Sequence, residues 1–210
     1  MQSKLLPYLS RSLSLVAVGA LLGGAAFAQA PAAPATAGTP TTAAAPAEKP
    51  KSLSSAEDTY VKSAVRGLSY LIQMAKTLPE SKEQAQMTQN RLRETTVKDL
   101  TAAQNALNKV VEAHALKVSA DLVGNDKTDI ERITKGFSKP PIKGFENKPL
   151  LDWVGEMLKE SKRLDRETET IGKQGQDPDL KMFATNYGPS IRNVFTSAEG
   201  LEKSLKTKKK

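Results

Sequence analysis

From Leu180 to Leu205 the apolar residues recur at spacings of four and three without a slip: Leu180, Ala184, Tyr187, Ile191, Val194, Ala198, Leu201 and Leu205. That alternation keeps about one side chain per turn on a single face of an α-helix, and a helix with one oily face must bury it against neighbours of the same kind. Three earlier segments repeat the pattern. The first carries Val61, Ala64, Leu68, Leu71, Ala75 and Leu78, and the second Val97, Leu100, Gln104, Leu107, Val111 and His114. The third carries Leu150, Val154, Met157, Ser161, Leu164, Thr168 and Ile171. Strand signals are nearly absent, so the predicted class is all-α, a four-helix bundle with one core.

The boundaries of these helices are written in capping chemistry. Ser54 and Glu57 form the pattern of a capping box, in which each side chain satisfies the other's backbone N–H. Pro79 ends the first helix, and the second is expected from about Glu80 to Leu116. Asn147 is expected to cap the third, with Pro149 in its first turn and Gly172 and Gly175 closing it. Asp177 caps the fourth, where Pro178 takes the first position and its missing N–H costs nothing. Pro189 falls in the middle of that last helix but leaves the 4-3 spacing in phase, which predicts a kink at Gly188 and Pro189 inside one continuous helix. The kink sacrifices one hydrogen bond, at about 3 kcal/mol, and reads first as geometry that curves the helix around its neighbours, the alternative being a loosened turn that exposes a carbonyl to a ligand or water. Between the second and third segments lies a long polar connection, "VGNDKTDIERITKGFSKPPIKGFENKP". Its length and its Gly and Pro residues predict a path across the end or side of the bundle, with one short helix from Lys127 to Lys135.

The ends of the chain are of a different kind. Lys4 and Arg11 precede an uncharged run from Leu13 to Phe27, and Ala26-Phe27-Ala28 has the small-x-small form of a cleavage site. Residues 1–28 therefore read as a signal peptide cut after Ala28, which predicts a periplasmic or secreted product with no transmembrane segment once the leader is gone. The absence of cysteine excludes disulfides, thiolate metal sites and lipid attachment at a processed Cys. Residues 29–52, rich in Ala, Pro and Thr, have almost nothing to bury and read as a disordered linker ahead of a bundle domain at 53–205. Loss of Lys4 and Arg11 with the leader lowers the formal charge from +8 to +6. Part of that excess sits in a basic tail, 206–210, where Lys206, Lys208, Lys209 and Lys210 follow Lys203. The plainer reading is a solvated tail. The alternative is contact with an anionic envelope polymer or lipid; nucleic acid is not expected, because no aromatic residues interleave the lysines.

The run "MLKESKRLDRETETIGKQGQDPDLKMFATNYGPSIRNVFTSAEGL" from Met157 resembles the C-terminal half of a ferritin-like family of bacterial proteins, domain-of-unknown-function family 4142. Shared features are the Gly-rich break at Gly172 and Gly175, the Asp177-Pro178 cap, Leu180 followed by Phe183-Ala184, and the mid-helix Pro189. "DLTAAQNALNKV", Asp99 to Val110, resembles the matching stretch of the earlier helix. The resemblance implies a ferritin-like four-helix bundle with an export signal, of the kind labelled outer membrane or periplasmic protein in Gram-negative bacteria. It implies no established activity. Asp-His pairs are usual on the second and third helices of the family, with His after the proline; here those positions are Asp99-Leu100, Glu160-Ser161 and Asn193-Val194.

Chemistry is sparsely supplied. A di-iron centre needs carboxylates from all four helices and two Glu-x-x-His pairs, and this chain has one histidine and no Asp or Glu on the four stripes. His114, near the end of the second helix, reads as a partner of the helix dipole. Trp153 and Phe183 read as core. Gln104, Ser161 and Thr168 are the polar members of the stripes and form a candidate buried polar layer. No catalytic, cofactor-binding or metal-ligating residue is assigned, and no cofactor is expected. The expected function is that of an exported, non-enzymatic helical bundle of the bacterial envelope with a binding or structural role. The alternative is a ferritin-like metal-binding or redox protein linked to oxidative stress.

Overall fold

The computed structural model describes residues 52–80 and 87–207. The expected leader, residues 29–51 of the linker, and Lys208 to Lys210 of the tail lie outside the described residues. Five helices follow in order: α1 (Ser55–Thr77), α2 (Met87–Ala113), α3 (Asn125–Phe137), α4 (Lys148–Gln174) and α5 (Pro178–Thr207). Among the described residues there is no strand, and no helix is long and apolar enough to cross a membrane. α1 packs on α2 and α4, and α5 packs on the same two, so the four long helices close around one core; α3 lies against α1 and α4.

Burial follows the 4-3 stripes. Every predicted stripe residue of α1 and α4 is buried, and on α5 only Tyr187 is partly exposed. α1 is buried more widely than one stripe, because Tyr60, Val65, Tyr70, Ile72 and Met74 are covered as well. α3 lies against this helix as well. It is tied to α1 by the Arg66–Asp126 ion pair (2.5 Å) and to α4 by Arg132–Glu156 (3.0 Å). Burial, followed by the nearby Glu156, Asp129 and Asp126 carboxylates, pushes the Tyr70 hydroxyl above its ordinary range. Trp153, fully buried, crosses from α4 to α1, where its Nε1–H donates to the Met74 carbonyl (2.8 Å) in the last turn of that helix.

Three expectations need correction. The buried face of α2 is Leu92, Thr96, Leu100, Ala103, Leu107 and Val110, so Val97, Gln104 and Val111 sit at its half-exposed edge. From Thr96 onward the 4-3 rule is satisfied by both sets, and only the neighbours on either side decide which rotation of the helix faces inward. Asn147 stands at the N-cap of α4 without a side-chain cap bond. Gly172 lies inside α4, which runs on to Gln174 and stops at Gly175.

α5 passes through Pro189 without interruption. The proline ring is exposed, while Ile191 and Val194 on the next turn are each 1% exposed. Burying two such side chains contributes roughly 3–6 kcal/mol and offsets the loss of the bond to the Thr185 carbonyl. Thr96 is a second local deficit: its hydroxyl is buried with no hydrogen-bond partner among the described residues.

Two substitutions test this account. Pro189→Ala restores a helical N–H opposite the Thr185 carbonyl and is expected to raise stability in urea unfolding, by up to about 3 kcal/mol. Thr96→Val removes the unpaired hydroxyl at nearly constant volume and is expected to raise it by about 1–3 kcal/mol.

Candidate histidine and carboxylate site at the end of the bundle

Three chain segments far apart in sequence meet at one end of the bundle: the start of α1, the end of α2, and the turn from α4 into α5. The capping box of α1 forms as expected. Glu57 N–H donates to Ser54 Oγ (3.3 Å), and the Ser54 N–H and hydroxyl donate to Glu57 Oε2 (3.0 and 2.6 Å). The other oxygen of the same carboxylate reaches across the bundle. Glu57 Oε1 accepts the backbone N–H groups of Gln176 (2.7 Å) and Asp177 (2.8 Å), the residues that lead into α5. Glu57 is only 3% exposed, and these bonds explain why a buried carboxylate is tolerated there. The Ser54 hydroxyl is the main cause that holds its pKa down, to about 2 from the ordinary 4.5; burial opposes it, and the Asp177, Ser54 and Gln176 N–H groups add to the lowering.

The turn can pass this close to Glu57 because residue 175 is glycine. A Cβ there would stand 2.6 Å from the Ile171 carbonyl oxygen and 3.4 Å from Glu57 Oε1. Asp177 then caps α5, accepting the Leu180 N–H on Oδ1 (2.9 Å). Its second oxygen is left facing α2, where His114 Nε2 lies 3.2 Å from Asp177 Oδ2. Both side chains are nearly buried, 7% and 8% exposed. Asp179, exposed in the first turn of α5, completes a group in which one ligand atom from each of His114, Asp177 and Asp179 lies within 4.8 Å of the others.

His114 is held in place by the way α2 ends. Ala115 takes a left-handed conformation (φ 50°), the Leu116 N–H bonds back to the Val111 carbonyl (2.9 Å), and the Ala115 N–H bonds to Glu112 (3.0 Å). This is the Schellman arrangement that stops a helix, here with alanine where glycine is usual. The left-handed backbone costs a residue with a Cβ roughly 1–2 kcal/mol. The imidazole thus sits at the negative end of α2, and the carboxylates of Asp177 and Asp179 at the positive end of α5.

The residues of the expected polar layer do not meet. Ser161 is fully buried and donates to the Met157 carbonyl of its own helix (2.6 Å). Thr168, 1% exposed, shares a hydrogen bond with the Tyr60 hydroxyl (3.0 Å), and Gln104 is half-exposed on α2. Burial, the largest cause, pushes Tyr60 up to about 12. Gly188 and Pro189 line an open groove of about 610 Å3 between α4 and α5. Its charged rim is occupied internally, since Arg192 pairs with Asp165 (3.1 Å) and Glu169 (3.3 Å), and Lys173 with Glu169 (2.6 Å). Of the Lys-rich C-terminus, Lys203 pairs with Glu199 (3.2 Å) and Lys206 with Glu202 (2.8 Å).

Sequence reasoning passed over Glu57 as more than a cap and over Asp179 altogether. Glu57 lies a turn before the first stripe residue, and a cap pattern carries no sign of a second partner. The Asp177-x-Asp179 pair was visible, but not its approach to His114.

In class, the described residues form an all-helical bundle with a histidine and carboxylates gathered at one end. No family model, no curated protein and no solved structure matches it.

Because the folded pKa of Glu57 lies below its unfolded value, its contribution to stability is complete above about pH 4.5 and is lost as pH falls toward 2. Glu57→Gln is expected to lower stability by about 2–4 kcal/mol at pH 6, since charge-assisted hydrogen bonds are weakened at both of its oxygens. The gap between wild type and variant should close between pH 4.5 and 2 in urea titrations; a gap that stays constant over that range would contradict the clamp.

Proposed function

We propose that this chain is an exported, non-catalytic helical-bundle module of the bacterial envelope, ferritin-like in arrangement, whose role is binding or structural. One observation carries the reading: where the buried polar groups lie. Along the helix bodies they are the hydroxyls of Thr96, Ser161 and Thr168, whereas the buried carboxylates, Glu57 and Asp177, lie at one end. A ferritin-type di-metal centre places carboxylates from four helices and two Glu-x-x-His pairs in the interior. The remaining interior positions here are aliphatic or aromatic, with Trp153, Leu68, Leu71, Met157 and Leu164 filling the centre. The resemblance from Met157 onward and the leader-like N-terminus support the envelope address, and the run of lysines at the C-terminus is the sequence feature that favours an anionic polymer or lipid as partner.

The rival, a ferritin-like redox protein active in oxidative stress, is separated by iron chemistry. Purified chain is loaded anaerobically with ferrous iron and exposed to oxygen. No oxidation above the buffer rate is expected, whereas about two irons per chain with catalytic oxygen consumption would overturn the reading.

A further inference from the structure

We propose that His114, Asp177 and Asp179 bind one divalent transition-metal ion, zinc being the best fit, at the end of the bundle. The inference gives the binding role above a ligand and rests on that reading.

The geometry is that of a tetrahedral site before closure. A metal with bonds of about 2.0–2.1 Å to nitrogen and oxygen sets neighbouring ligand atoms roughly 3.3 Å apart. His114 Nε2 and Asp177 Oδ2, at 3.2 Å, already define one edge of such a tetrahedron. Asp179 offers a third atom within 4.8 Å of both, and because its side chain is exposed it is free to close the remaining distance. Three protein ligands leave the fourth position to water or to a small anionic ligand.

The supporting shell is already built. Leu180 N–H fixes Asp177 Oδ1 and so aims Oδ2 at the imidazole, while Glu57 fixes the backbone of Asp177 itself. Outer hydrogen bonds of this kind orient metal ligands. Charge points the same way, since two carboxylates, Asp177 and Asp179, gather around one imidazole. A dication relieves the repulsion between Asp177 and Asp179. A nitrogen donor with two carboxylates selects zinc, cobalt or nickel over calcium and magnesium, which take all-oxygen shells.

The test uses untagged mature chain stripped with chelator and titrated with zinc by calorimetry. Saturation at one zinc per chain is expected, undiminished by millimolar calcium or magnesium. Zinc absorption spectroscopy should report an imidazole and carboxylate shell. His114→Gln is expected to weaken binding by at least about 100-fold and Asp179→Asn by at least about tenfold. Asp179 is exposed, so that variant should keep the helical circular dichroism of the wild type and serves as the folded control. Absence of saturable binding, an all-oxygen shell, or affinity unchanged in both variants would overturn the site. None of these results bears on ferrous oxidation, which tests the non-catalytic reading separately.

Discussion

The turn from α4 into α5 is where the bundle is tied. Gly175, Gln176 and Asp177 are all that separate two long helices, and Glu57 accepts two of their backbone N–H groups, that of Asp177 in a buried bond. One carboxylate at the start of α1 therefore does three things at once. It completes its own cap, satisfies the turn, and fixes where α5 begins. The position of Asp177 follows from this, and with it the face that Asp177 turns toward His114.

The bundle combines a permissive body with a demanding end. Along the helices, burial of aliphatic side chains is nondirectional, so the interior accommodates an unpaired Thr96 hydroxyl and a proline in α5 without losing phase. At the end, hydrogen bonds and charges require particular atoms at particular distances, and substitution is correspondingly less free: a Cβ at residue 175 meets a carbonyl oxygen. The left-handed Ala115 belongs to the same end. Backbone strain there is held by the Schellman bonds and positions the imidazole at the last turn of α2.

The centre of the bundle, where ferritin-like proteins carry their metals, is filled by Trp153, Leu164 and their neighbours. A histidine and two carboxylates gather instead at one end, where the C-terminus of α2 meets the N-terminus of α5. Asp177 and the turn that carries His114 are positioned by backbone hydrogen bonds that do not depend on any ligand, which is what the proposed binding role draws on.

Periodicity and caps by themselves determined the number of long helices, the phase of α1, α4 and α5, and most of their boundaries: the stripes of α1 and α4, the Ser54-Glu57 box, the Asp177 cap and the unbroken course of α5 are local patterns, readable because each depends on residues within a few turns. Rotation of α2 was not local. Leu100 and Leu107 belong to both its expected and its observed faces, and the packing of α1 and α5 on either side decided that Thr96 and Ala103 go inward while Gln104 does not. The polar layer failed to assemble for the same reason, since Ser161 finds its partner in its own helix and Thr168 in Tyr60. The meeting of Glu57, His114 and Asp177 was decided by tertiary structure alone, because bringing together residues so distant in the chain requires the whole core to close first.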